Sequence, residues 1–325
     1  MTGASSGLGE ITARELARKG ARVVLAVRTT SKGETAAQRT RDAVPGARVE
    51  VRELDLSSLE SVRAFAAELS AAAPTLDLLV NNAGIMQTPP RRTVEGYELQ
   101  LGTNHLGHFA LTGLLLDALG RASAPRVVTV SSLEHKPGHI HFDDLQLEHD
   151  YAPRKAYQQS KMANAIFGIE LDRRLRAAGS PILSVLAHPG YSATNLQFTG
   201  PTGIAPLVFR IANAVFAQKA ERGALPQLYA ATAPGVRGGQ FFGPSGFQEM
   251  RGDPTEVSRG ARSRDRPPAV GGLGGPHRRE VGVDAALKQG PVFVGAPSLA
   301  AGRLEGGGPG RRLVGGHLSR LARDR

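Results

Sequence analysis

The stretch Thr2-Gly3-Ala4-Ser5-Ser6-Gly7-Leu8-Gly9 runs into Glu10 to Lys19, where Ile11, Leu16 and Ala17 keep helical spacing before Gly20 stops the pattern. A glycine loop that opens a helix lets the backbone approach a pyrophosphate closely, and the helix N-terminus offers free N–H groups and the positive end of a dipole. Gly3, Ser5, Ser6, Gly7, Leu8 and Gly9 are therefore the candidate phosphate cradle. Taken alone, such a loop is as readily a Gly/Ser turn without function. The strand-like run Arg22 to Val27 behind it supplies what a βαβ nucleotide-binding unit requires next.

Outward from this loop the chain alternates. A helix is expected around Lys32 to Ala43, a strand over Arg48 to Leu54, and a helix opened by the capping box Ser57-Ser58-Leu59-Glu60. Strand Leu76 to Val80 leads into Asn81-Asn82-Ala83-Gly84. A long helix follows from Val94 to Arg121, then strand Arg126 to Ser131, a helix through Tyr157 to about Ala178, and strand Ile182 to Ala187. Two apolar helices, about Pro206 to Phe216 and Lys219 to Ala231, precede a last strand at Gly239 to Phe242. Alternation of this kind means an α/β fold with a doubly wound, mostly parallel sheet, whose ligands sit at the carboxyl ends of the strands. The first strand is missing: only Met1 and Thr2 precede the loop, where five or six apolar residues are expected. Because a central strand leaves two neighbours unpaired when removed, the expectation is a start further upstream, with Met1 in place of the strand's last residue.

Composition limits the chemistry. With 41% apolar residues in 325, the chain has material for a substantial core, and with no Cys it has neither disulfide nor thiolate. Redox chemistry then needs a cofactor. No run approaches a membrane span and the start has no secretory layout, so a soluble cytoplasmic protein is expected. Most of the net charge of +11 falls in residues 258–325, leaving residues 1–257 nearly neutral. A nucleic-acid surface is therefore not expected of the folded part, and the tail lacks the aromatic interleaving of a nucleic-acid module.

Tyr157 and Lys161 lie four apart, one above the other on a helix, where a fixed cation would draw a phenol's pKa down toward working pH. Singly, the pair is common on solvated helices. Ser132, at the end of a strand, is placed to hydrogen-bond a substrate oxygen, and Asn104 to hold a water beside Lys161. A serine after a strand is otherwise a cap or turn, and a helical asparagine a packing residue. Their coincidence at one sheet edge makes them the candidate site. His135, His139 and His141 are read as loop residues, with no metal expected.

With Thr-Gly-x-x-x-Gly-x-Gly at Thr2 to Gly9, Asn-Asn-Ala-Gly at Asn81 to Gly84 and Tyr-x-x-x-Lys at Tyr157 to Lys161, the chain resembles the short-chain dehydrogenases/reductases over about residues 2–254. The long spacer from Ser132 to Tyr157, with Leu133-Glu134-His135 and Gly138 to Leu145, is similar to the retinol-dehydrogenase-like branch. The resemblance implies Tyr157 as general acid/base, Lys161 as its activator and ribose ligand, Ser132 as the polariser of the substrate oxygen, and Asn104 in a proton relay. It implies Asp55 and Leu56 near the adenine, Asn82, Ala83 and Gly84 along the cofactor, and Pro189, Gly190 and Thr194 at the carboxamide. It also implies a homodimer or homotetramer. At the end of the second strand, where NAD-specific folds place an acidic residue, the chain has Arg28, so NADP(H) is expected over NAD(H). The substrate is expected to be a lipophilic alcohol, aldehyde or ketone. The rivals are a catalytically silent nucleotide-binding regulator on the same scaffold and an inactive product of a truncated, frameshifted gene.

The second rival comes from the tail. Residues 258–325 hold 15 Gly, 6 Pro and 12 Arg without a sustained period, as in a disordered basic extension. A frameshift near Val257 is the sharper expectation. Read one base later, the codons for Arg266 to Arg279 are compatible with a terminal helix of the kind this branch carries. The nucleotide sequence decides it.

Overall fold

The computed structural model describes residues 1–191 and 219–257. Thr194, the helix expected over Pro206 to Phe216 and the 258–325 tail lie outside them. After the glycine loop come α1 (Gly7–Arg18), β1 (Arg22–Val27), α2 (Thr30–Ala43), β2 (Arg48–Glu53), α3 (Leu59–Ala72) and β3 (Leu78–Asn81). Then follow α4 (Leu99–Leu101), a π-helical turn (Gly102–Leu106), α5 (Gly107–Gly120), β4 (Arg126–Val130), α6 (Pro153–Ala177) and β5 (Leu183–Ala187). The described chain closes with α7 (Ala220–Gly223), α8 (Leu225–Thr232), β6 (Phe241–Pro244) and β7 (Pro254–Glu256).

β1 and β2 pair in parallel, and β3-β4-β5-β6 form a parallel row to which β7 adds antiparallel. Met1 to Gly3 occupies the seam between the two sheets. Thr2 bridges Ala26, its N–H donates to Val80 O at 3.1 Å, and Ala26 N–H donates to Met1 O at 2.9 Å. Three residues thus join β1 to β3 and carry the loop to the strands' carboxyl ends. Along the rest of the seam, no described strand pairs with either inner edge.

Successive strand side chains point to opposite faces, and the sequence uses both. On one side Ala26, Leu79 and Val127 pack with Val62, Phe65 and Leu69 of α3 and Leu111, Leu115 and Leu119 of α5. On the other, Val23, Leu25 and Val27 pack on α1 and α2, and Val80, Val128 and Val185 on Ala230 and Ala231 of α8. The i, i+4, i+8 leucines of α5 are fully buried. Each stabilises the layer by about 1.5–3 kcal/mol.

Three expectations change. The helix expected from Val94 starts at Leu99, because the Glu98 carboxylate caps it by accepting from the N–H groups of Gln100 and Leu101. The cap of α3 is Ser58, not Ser57, whose hydroxyl instead donates to Asp55 at 2.6 Å. The final strand runs on to Pro244, and the antiparallel β7 was not anticipated.

Candidate active site

At the carboxyl ends of β1, β3 and the seam lies a cleft of about 300 Å³. Gly3, Ser5, Ser6, Gly7, Leu8, Gly9, Arg28, Asp55, Leu56, Asn82, Ala83 and Gly84 all line it, with Lys32 and Thr103. The glycines are steric requirements here. Gly3 and Gly7 take left-handed backbone at φ 64° and 57°, and a Cβ on Gly9 would stand 2.3 Å from Gly3 O. The loop is buttressed from below: Thr2 Oγ1 accepts from the N–H groups of Asn82 (3.0 Å) and Ala83 (2.9 Å), and Asn82 Nδ2 donates to Thr2 O at 2.9 Å. So two motifs far apart in sequence form one wall.

Arg28, on the rim, is exposed, and neither it nor Lys32 has an ion-pair partner among the described residues. Two free cations beside a glycine cradle at the N-terminus of α1 suit an anion larger than a bare pyrophosphate. Asp55 faces the same cleft, with one carboxylate oxygen engaged by Ser57.

Tyr157, Ser160, Lys161 and Asn164 fall at i, i+3, i+4 and i+7 of α6 and are all buried. The Ser132 hydroxyl is close enough to the Tyr157 phenol to lower its pKa, and Lys161 Nζ lies 5.8 Å from the phenol ring centroid and 3.2 Å from Val130 O. Ser132 also accepts from Glu134 N–H, so it is a turn cap as well as a site residue. Asn104, in the π-helical turn, stands beside Lys161 across Gly84. Its amide is engaged: Oδ1 accepts from Ile85 N–H at 2.8 Å, while Nδ2 donates to Ile85 O and Ser160 Oγ, each at 2.9 Å.

The electrostatics correct one expectation. Burial pushes the Tyr157 phenol up to about 12, against the lowering by Ser132, and pushes Lys161 down to about 8. Desolvation of the charged form outweighs the attraction expected from the lysine.

Sequence reasoning passed over His108. It is fully buried between the loop and the π-turn, its Nε2 2.9 Å from Thr2 Oγ1 and its Nδ1 2.9 Å from Asn104 O. Its spacing four after Asn104 was the available signal. Pro189 and Gly190 follow the end of β5 at Ala187, with Gly190 at φ 65°. Among the described residues no group of three or more His, Asp or Glu is placed to hold a metal, and no helix is long and apolar enough to cross a membrane.

A glycine cradle at a strand-to-helix turn, with a buried tyrosine flanked by a half-buried serine and a buried lysine, defines a nucleotide-binding α/β oxidoreductase. The chain belongs to the short chain dehydrogenase family, whose model matches residues 1–199, and to its retinol-dehydrogenase-like branch. It is 42% identical to human (Homo sapiens) retinol dehydrogenase 14 over 267 residues, covering 77% of this chain and 79% of that one. It is 43% identical to human retinol dehydrogenase 12 over 244 residues, or 74% and 76% of the two chains. Among solved structures, an uncharacterized protein from Mycobacterium Paratuberculosis is 48% identical with a TM-score of 0.65, over 80% of this chain and 85% of that one. The Pseudomonas aeruginosa RhlG/NADP active-site complex is 26% identical with a TM-score of 0.59, over 74% and 91%.

Proposed function

We propose that the protein is an NADPH-dependent reductase of lipophilic aldehydes or ketones, with Tyr157 as the proton donor. The observation that carries this reading is the buried Tyr157 phenol, with the half-buried Ser132 hydroxyl and buried Lys161 beside it, at the edge of the nucleotide cleft. The cradle residues fit a dinucleotide, since the loop opens onto the N-terminus of α1, which no Ser6 side-chain cap closes, so its N–H groups can donate to phosphate. Arg28 and Lys32 would take a 2′-phosphate as charge-assisted partners, which a diol does not offer. The nicotinamide supplies the hydride when bound.

The chain's own residues do the rest. Ser132 donates to the carbonyl oxygen and orients it toward the phenol. Tyr157 gives its proton to that oxygen as negative charge builds there. A phenol held at about 12 is fully protonated at neutral pH and is still far more acidic than the alcohol it forms. Lys161, near 8, is the neighbour able to return a proton to the phenol, and Asn104 holds the Ile85 backbone beside it. The relatives at 42–43% identity are named for retinol, a lipophilic alcohol, which supports an apolar substrate. A cysteine-free chain suits the reducing cytoplasm, and a homodimer or homotetramer is part of the same reading.

A screen of retinal, long-chain aldehydes and aryl ketones, following NADPH absorbance, tests this. Reduction of at least one lipophilic carbonyl is expected. Tight NADPH binding with no turnover on any of them would favour a regulatory protein on the same scaffold.

A further inference from the structure

The loop between β6 and β7 comes back over the active-site edge of the sheet. It is a tight hairpin, with Ser245 N–H donating to Asp253 O and Gly246 N–H to Arg251 O, both at 2.9 Å. At its tip Gln248 and Glu249 adopt left-handed backbone, φ 49° and 57°, which residues other than glycine seldom take. This conformation delivers the Glu249 carboxylate between two segments of the site. One oxygen accepts from Lys136 Nζ at 2.7 Å, just beyond the Ser132 turn; the other meets His188 Nε2 at 2.9 Å, just before Pro189 and Gly190.

The histidine's tautomer follows from its partners. Gly190 N–H donates to His188 Nδ1 at 3.2 Å, so Nδ1 is an acceptor and the ring proton resides on Nε2, where it is donated to Glu249. The contact therefore transmits orientation from Glu249 through the ring to the Gly190 amide. Packing leaves little play. A Cβ on Gly190 would stand 2.5 Å from Met250 O, one on Gly243 would overlap His188, and Tyr191 N–H donates to Met250 O at 2.8 Å. His188 and His135 both pack on Phe241, and His135 Nδ1 bonds Ser132 O, so the serine turn rests on the same cluster.

We propose that Glu249 is a positioning residue of the active site: one carboxylate that holds the Ser132 turn, through Lys136, and the Pro189–Gly190 turn, through His188, in fixed register. The role in turnover rests on the reductase reading above; the mechanical coupling does not. Glu249 sets the distance between the hydroxyl that orients the carbonyl and the turn that borders the cofactor. It touches neither.

The experiment uses the full chain and its Glu249→Ala, Glu249→Gln and Lys136→Met variants. Amide exchange is followed over residues 133–138 and at Gly190 and Tyr191, and NADPH-dependent reduction of retinal is followed in parallel. In Glu249→Ala, exchange rises about tenfold or more in both segments while α5 is unchanged, and kcat falls about tenfold or more. The KM for NADPH moves less than about threefold, since the glycine cradle and Arg28 are untouched. Glu249→Gln keeps an acceptor for His188 and restores protection at Gly190. Lys136→Met, a change at a partly exposed side chain, loosens residues 133–138 and adds nothing further in the Glu249→Ala background. Unchanged exchange at Gly190 in Glu249→Ala, or additive effects of Lys136→Met and Glu249→Ala, would overturn the proposal. A wild-type chain that binds NADPH but reduces nothing defeats the reductase reading, and the exchange data still decide the coupling.

Discussion

Replacing Arg28 by Asp should invert the cofactor preference. Arg28 stands exposed on the rim of the cleft at the end of β1, without an ion-pair partner among the described residues, so its charge is available to a ligand. A hydrogen bond to a charged group contributes about 1.5–3 kcal/mol, roughly ten- to a hundredfold in affinity at about 1.4 kcal/mol per decade. Arg28→Ala should lose that much in the KM for NADPH with kcat nearly unchanged, because the contact is the same in ground and transition states. Lys32, also exposed, should matter less, at about 0.2–1 kcal/mol. Arg28→Asp goes further: the carboxylate repels a 2′-phosphate and accepts from a ribose diol, so NADH should become the better substrate. The assay is steady-state KM and kcat with each nucleotide at two salt concentrations, the NADPH term weakening as salt rises. Equal efficiency with NADH in the wild type, or an NADPH preference that survives Arg28→Asp, would refute the reasoning.

Two further outcomes follow from the geometry. In Gly9→Ala the added methyl would meet Gly3 O and the Asn82 amide, so the cradle must open; NADPH affinity, read from the nucleotide's own fluorescence, should fall by at least about tenfold. Burial holds His105 and His135 down to about 4 and His108 to about 3, so the unfolded chain protonates first as pH drops. Stability is complete above pH 6.5 and is lost as pH falls from there through those values. The slope is about 1.4 kcal/mol per pH unit for each histidine, and urea midpoints between pH 7 and pH 4 measure it.

The sequence's own periodicities located the strands and helices around the cleft well, because they are local. Val23, Leu25 and Val27 alternate with Val24 and Ala26, and Leu111, Leu115 and Leu119 repeat at helical spacing, so strand and helix follow from neighbours in the chain. The cradle, Arg28, Asp55 and the Asn82 to Gly84 run were legible for the same reason. What escaped depends on distant partners. The start of α4 is set by a carboxylate side chain that no period marks. The phenol of Tyr157 is raised by the amount of protein packed around it, which spacing to Lys161 does not encode. His108 and Glu249 act on residues 106 and 61 positions away in sequence, at Thr2 and His188. β7 is three residues long and pairs only after the chain has turned back on itself.

The most direct test of the account is Tyr157→Phe, which removes one buried hydroxyl and keeps the ring. The measurement pairs NADPH binding with the single-turnover rate of carbonyl reduction on the same protein. Affinity should stay within about threefold of wild type while the rate falls by about a thousandfold or more, the scale expected when a positioned proton donor is lost. A Tyr157→Phe enzyme that reduces the carbonyl at the wild-type rate would contradict the claim that this phenol delivers the proton.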